Sequence, residues 1–292
     1  LKKILVTGAL GQLGNSVLNQ LYGKFNILAT DVSKRVPNLI TPYIALDVTQ
    51  QDQIDKCINK FYPDVILNLA AYTDVDGCEL NPEKAYQINT KAVELLSNNF
   101  QGQFIQISTD YIFDGLTGPY AEDATPNPLS TYGKSKLAAE LLLPNSVKNF
   151  CIVRSNVLYD YYIGTKASFI KWVVDSLKSN KTINVVNDQW NNPTWTVNMA
   201  EIIELIISKY VTGVYNYCGA TYLNRFEFAE IIADVFELNK NLISIISTAS
   251  LNQAAPRPLK GGLRTEKIER ELNVKCANLA DCINSIKERF DK

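Results

Sequence analysis

The 292-residue chain has no histidine, one methionine and six cysteines without a CxxC pair. Without imidazole, Ser-His-Asp hydrolysis, Cys-His nucleophiles and histidine metal sites are excluded, and acid-base chemistry falls to Tyr, Lys, Asp, Glu or Cys. Cys57, Cys78, Cys151, Cys218, Cys276 and Cys282 are scattered, which argues against a metal ribbon or a disulfide framework; they read as reduced thiols, and no metal is expected. Neither charge sign is in excess, the net charge being -1, so no nucleic-acid partner is implied. No apolar run approaches the roughly 20 residues that cross a bilayer. The opening LKKILVTGA continues into a strand pattern with no signal-peptide cleavage site, so the expectation is a cytoplasmic protein without a membrane partner.

A hydrophobic content of 46% is enough for one large unit or two coupled domains. Short apolar runs alternate with helical patterns: strands KKILVTG, FNILATD, YIALDV, DVILNLAA and FIQIST, and helices over Gln12–Leu21, Gln50–Phe61 and Pro82–Asn98. The alternation predicts βαβ units, and runs apolar on consecutive residues suit strands buried on both faces of a parallel sheet. From CIVRSNVLY onward the regularity fades. A helix over Ser168–Ser179, a loop at Asn192-Pro193-Thr194, a helix over Val197–Lys209, a strand GVYNYCG, two further helices and a PRP segment predict a smaller α/β lobe.

Directly after the first strand, TGALGQLG places Gly8, Gly11 and Gly14 where a strand turns into a helix, with Leu10, Gln12 and Leu13 between and beside them. Gly8 permits the tight turn, Gly11 lets the backbone approach a pyrophosphate, and Gly14 lets the helix pack closely on the sheet. The helix N-terminus offers free N–H groups to phosphates. Asp31, ending the second strand, sits where a carboxylate accepts hydrogen bonds from an adenosine ribose, and Asp47-Val48 could reach adenine in the same way. The expected cofactor is NADH or NADPH. Asp31 favours NADH, while Lys34 and Arg35 nearby could pair with a 2′-phosphate.

The stretch LSTYGKSKLAAELLL puts Tyr132 and Lys136 one helical turn apart, so both leave the same face. Tyr162 and Lys166 share the spacing, but they fall in a glycine-containing loop and read as surface residues. The fifth strand runs into ISTDYIFDG, setting Ser108, Thr109 and Asp110 at the sheet edge where doubly wound folds bind ligands. A free tyrosine titrates near pH ~10; an adjacent ammonium would lower that value. The expectation is that Thr109 holds a substrate oxygen, Tyr132 donates a proton to it, and Lys136 tunes the phenol and holds the nicotinamide ribose, giving ketone reduction without histidine or metal.

The segments GALGQLG, LNLAAYTDVDGCE, INTKAVE, STDYIFDG, PYAED, PNPLSTYGKSKLAAE and the late PRP together resemble the extended short-chain dehydrogenase/reductase superfamily, and within it the dTDP-4-dehydrorhamnose reductase family. The resemblance implies a Rossmann-like doubly wound parallel sheet in residues 1–150, with residues 151–292 forming mainly a substrate-binding lobe that exchanges elements with the first. It implies that Thr109, Tyr132 and Lys136 are catalytic, that Ala70, Ala71, Tyr72 and Asn89 line the dinucleotide site, and that Asp74, Asp110 and Tyr111 approach a keto-sugar. Asn156, Gln189 and Thr194 fall near the substrate or the lobe interface by the same matching. The implied reaction is NAD(P)H-dependent reduction of a nucleotide-linked 4-keto-6-deoxy sugar, such as dTDP-4-dehydrorhamnose to dTDP-L-rhamnose. A sugar-nucleotide epimerase, a regulatory subunit resembling that of methionine adenosyltransferase, and a homodimer all stay open. Where the family usually reads RTSWVYG, this chain has RSNVLYD, so Val157 stands where an aromatic wall of the sugar pocket is expected.

Overall fold

The computed structural model describes residues 1–34, 39–162 and 168–291. In chain order it begins with β1 (Lys3–Thr7), α1 (Gln12–Leu21), β2 (Asn26–Asp31), β3 (Tyr43–Ala45), α2 (Gln51–Phe61), β4 (Val65–Asn68), α3 (Val75–Leu80), α4 (Pro82–Tyr86), α5 (Ala92–Ser97), β5 (Gln103–Thr109), α6 (Thr131–Ser146) and β6 (Phe150–Ser155). It continues with β7 (Leu158–Tyr159), α7 (Phe169–Lys178), β8 (Ile183–Val186), β9 (Trp190–Asn191), β10 (Thr194–Trp195), α8 (Thr196–Lys209), β11 (Gly213–Asn216), β12 (Leu223–Asn224), α9 (Arg225–Val235), β13 (Ile243–Ile246), α10 (Glu266–Leu272) and α11 (Leu279–Asp291).

Seven strands form one sheet in the order β11-β6-β5-β4-β1-β2-β3, all neighbours parallel. Every residue of β4 and β5 is buried, as in strands covered on both faces, including the polar Gln103, Gln106, Ser108 and Thr109 of β5. The strand order reverses between β1 and β4, which opens a crevice at the carboxyl ends of the strands. On one face α1 packs Val17, Leu18 and Leu21 with Ile203, Ile206 and Ile207 of α8. The other face is covered by α2, α5 and α6 through residues such as Ile54, Leu96 and Leu143. Fully burying each of these aliphatic side chains contributes about 1.5–3 kcal/mol.

After residue 150 the chain supplies β6, α8 and β11 to this sheet and its covering layer. A second core lies wholly beyond that point, where α7, α9 and α11 gather around β8 and β13 through Val173, Phe228, Ile232 and Ile283. No helix of the described residues is long and apolar enough to cross a membrane.

Several elements differ from expectation. The helix predicted over Pro82–Asn98 is interrupted by a π-helical turn at Gln87–Lys91, which carries Asn89 inward. The third strand ends at Ala45, so Leu46, Asp47 and Val48 leave the ladder and reach the crevice. The short helix α3 was not signalled by any apolar period; the Asp74 side chain caps it by accepting from Gly77 N. Three α-helices, where two were expected, follow β11.

Candidate active site

At the nucleotide end, Gly8 has φ +63, and a Cβ there would lie 2.7 Å from the Ala70 nitrogen. Only glycine lets the loop press against the end of β4 in that conformation. A Cβ on Gly14 would lie 2.4 Å from the Ala9 carbonyl oxygen, which is the close helix packing anticipated there. Gly11, the N-cap of α1, has no side chain and makes no cap hydrogen bond, so the backbone at the start of the helix lines the crevice directly. Asp31 accepts from Leu10 N at 3.2 Å and Ser33 N at 3.4 Å, which fixes its carboxylate beside the glycine loop. Asp47 accepts from the backbone and hydroxyl of Thr49 at 2.9 and 2.7 Å. The glycine cradle, the helix N-terminus behind it and the carboxylate at the β2 terminus fit a dinucleotide.

At the chemical end, α6 starts at a Ser130 cap on Gly133 N and is anchored by Thr131 N donating to Glu79 at 2.8 Å. This start projects Tyr132 and Lys136 over the end of β5. The Tyr132 ring meets Tyr111 edge to face at 5.5 Å. Thr109 accepts from Tyr111 N at 3.2 Å, and its hydroxyl stands beside the Tyr132 phenol. Lys136, 4% exposed, donates to the Ile107 carbonyl at 2.6 Å.

The electrostatics correct one expectation. Burial pushes the Tyr132 phenol well above its ordinary value, opposed by the neighbouring Thr109 hydroxyl, with Tyr111 and Asp110 adding to the rise. Burial also pulls Lys136 down to about 8, with Glu140 restoring part of the loss. Desolvation therefore governs both groups and outweighs any lowering of the phenol by the lysine.

One crevice of about 1250 Å³ joins the two ends. Its walls include Gly8, Gly11, Gln12, Leu13, Gly14, Asp31, Asp47, Val48, Ala70, Ala71, Tyr72, Thr109, Asp110, Tyr111, Tyr132, Lys136 and Asn156, which the sequence had singled out. Five other expected residues stand behind the walls or elsewhere. The Leu10 amide holds Asp31, and Asp74 caps α3. Asn89 braces the Tyr72 backbone at 2.8 and 3.1 Å and donates to Ser135 Oγ of α6 at 3.0 Å. Gln189 donates to Thr248, and Thr194 accepts from Ser155 at 2.9 Å. Arg35 and Lys166 lie outside the described residues; Tyr162 is partly buried.

The sequence did not single out Arg225, which lines the chemical end from the first residue of α9. The helix start was readable from the Asn224…Glu227 capping box, but not its place across the crevice. Val157 lines the same end at φ +40, a conformation costing about 1–3 kcal/mol for a non-glycine residue. Its carbonyl is held by Thr194 N at 3.2 Å, and Asn156 beside it donates to Asn192 at 2.9 Å and Asp110 at 3.3 Å. Asp110 also accepts from Gly262 N at 3.1 Å, so its carboxylate ties the sheet edge to the late loop.

The model of the RmlD substrate binding domain matches residues 2–291. A dTDP-4-dehydrorhamnose reductase of Aggregatibacter actinomycetemcomitans is 30% identical over 98% of this chain and 98% of that protein. Methionine adenosyltransferase 2 subunit beta of Xenopus tropicalis is 29% identical over 92% of this chain and 82% of that protein. The crystal structure of dTDP-4-dehydrorhamnose reductase from Bacillus anthracis in complex with NADP is 27% identical, has a TM-score of 0.89, and covers 98% of this chain and 99% of its own. With a full-length family match and the Rossmann-like sheet in place, the chain belongs to the RmlD family of extended short-chain dehydrogenase/reductases, whose members include the dTDP-4-dehydrorhamnose reductases.

Proposed function

We propose that the protein reduces a nucleotide-linked 4-keto-6-deoxy sugar, dTDP-4-dehydrorhamnose by family, with NADH or NADPH. The observation that carries this reading is the convergence of Thr109, Tyr132 and Lys136 at the end of β5, in one crevice with the glycine loop. Gly8, Gly11, Gly14, Asp31 and the first turn of α1 would hold the dinucleotide, and Lys136 its nicotinamide ribose. The bound reduced nicotinamide supplies the electron pair that reduces the carbonyl carbon. Thr109 fixes the carbonyl oxygen, and Tyr132 donates the proton that oxygen gains. A phenol raised by burial is protonated across the neutral range, which suits a donor. The Lys136 ammonium, bonded to the Ile107 carbonyl, keeps positive charge beside that transfer.

The relation to methionine adenosyltransferase 2 subunit beta supports a second reading, a regulatory subunit on the same scaffold. An absorbance assay with dTDP-4-dehydro-6-deoxy sugars separates the two. Net oxidation of NADH or NADPH supports the reductase; no turnover despite cofactor binding supports the subunit; sugar interconversion without net oxidation identifies an epimerase.

A further inference from the structure

Arg225 is the first residue of α9, where the helix macrodipole is positive. A cation in that place is disfavoured by the macrodipole. Its guanidinium lines the chemical end of the crevice with Asp110, Tyr111, Asn156 and Val157. Among the described residues, no carboxylate lies within ion-pair distance of it and no hydrogen bond uses its side chain; the guanidinium lies over the Phe169 ring, 5.2 Å from the centroid. The facing carboxylate, Asp110, is already engaged by Gly262 N, Asn156 and the Thr109 hydroxyl.

Other guanidiniums in this protein show what burial ordinarily requires. Arg154 is held by Glu140 at 2.7 Å and Arg257 by Asp76 at 2.8 Å. Arg225 is part-buried, and desolvation pulls its value down against the opposing effect of Tyr111 and Asp110, so its charge is only partly compensated. In the same wall the buried Asn156 Oδ1 has no hydrogen-bond partner.

The geometry points to Arg225 as an anion-binding residue of the substrate subsite, its planar fork taking a phosphate or a carboxylate of the nucleotide sugar in paired hydrogen bonds. The assignment rests on the reading of this crevice as a nucleotide-sugar site. Two sources offer that chemistry: the diphosphate of the nucleotide, or an acidic group on the sugar ring.

Calorimetric binding to the full-length protein with saturating NADP⁺ distinguishes them, using dTDP, dTDP-glucose and dTDP-glucuronate as probes. Hydrogen bonds to charged groups contribute about 1.5–3 kcal/mol, roughly 10- to 150-fold in affinity. If the diphosphate is the partner, R225Q binds all three probes more weakly by that factor. If a sugar acid is the partner, R225Q leaves dTDP unchanged and abolishes a wild-type preference for dTDP-glucuronate over dTDP-glucose. R225K, which keeps the charge but not the fork, falls between wild type and R225Q in either case. NADP⁺ affinity at the wild-type value verifies the fold of each variant. Wild-type affinities of R225Q for all three probes overturn the assignment alone; failure of the wild type to bind any probe overturns the nucleotide-sugar reading and the assignment with it.

Discussion

The rate of reduction should fall on the alkaline side along a limb set by Lys136. Burial, only partly offset by Glu140, holds that amine at about 8, where a free lysine titrates near ~10.4. The pH dependence of kcat/KM reports the free enzyme, the state in which this value applies. If the ammonium is the active form, kcat/KM is flat below the limb, then drops by about a factor of ten per pH unit; at pH ~9 it is roughly tenfold below the plateau. Stability moves the other way. A lysine whose value is lowered by folding costs stability while charged, fully so below about 8; that cost is relieved as pH rises toward ~10.4, where the unfolded chain also loses its proton. Loss of activity in this window is therefore not unfolding, and circular dichroism at each pH checks the point. In Lys136→Arg the charge persists throughout, so the limb should vanish while the plateau drops from misfit. A wild-type profile flat to pH ~9.5, or an unaltered limb in Lys136→Arg, would refute the assignment of the ammonium.

Other outcomes follow from the same geometry. Tyr132→Phe keeps the ring that packs on Tyr111 and should retain cofactor binding, measured by fluorescence, while turnover falls about 10²-fold or more. Asp31→Ala removes a carboxylate that repels a 2′-phosphate; the NADPH-to-NADH ratio of kcat/KM should rise by on the order of tenfold, about 1.4 kcal/mol, and an unchanged ratio would move cofactor selection elsewhere. Arg154→Met strands Glu140, whose carboxylate is 4% exposed, and should cost about 3–5 kcal/mol in denaturant unfolding; Arg154→Met with Glu140→Leu should recover much of it.

How far the fold could be read depended on whether its signal was local. Strands of the first half announce themselves as largely apolar runs because the central ones are covered on both faces, and α1 runs over Gln12–Leu21 as expected because the glycine turn and the Val17-Leu18-Leu21 stripe mark it from both sides. Beyond Ser155 the strands are two to four residues long and, β11 apart, pair in twos. Such ladders carry too few residues for a period to emerge, and their partners are far apart in the chain. The interruption at Gln87–Lys91 was hidden for a different reason. It exists to turn Asn89 toward the Tyr72 backbone and Ser135, both remote in sequence, so its cause is tertiary.

The site divides along the same line. Thr109, Tyr132 and Lys136 could be named because their chemistry sits in a strand end and one helical turn, with the sheet edge doing the rest. In the wall opposite, Asn156 and Val157 were legible only through the family resemblance and Arg225 not at all, since the three meet only once the second lobe has folded onto the sheet. That wall is also where the chain departs from the family pattern. Val157 removes the surface an indole would offer a sugar ring, and its strained backbone is held by contacts from Thr194 and the Asn156–Asn192 pair, so the loop is fixed in shape. Arg225 brings an unpaired charge to the same place. Exchanging a stacking surface for a fixed charge alters what can be recognised without touching the atoms that move the proton. Divergence of substrate preference in this chain should therefore appear in KM across a panel of sugar nucleotides, with kcat for the good substrates set by Thr109, Tyr132 and Lys136; a panel in which kcat varies and KM does not would place discrimination at the chemical step instead.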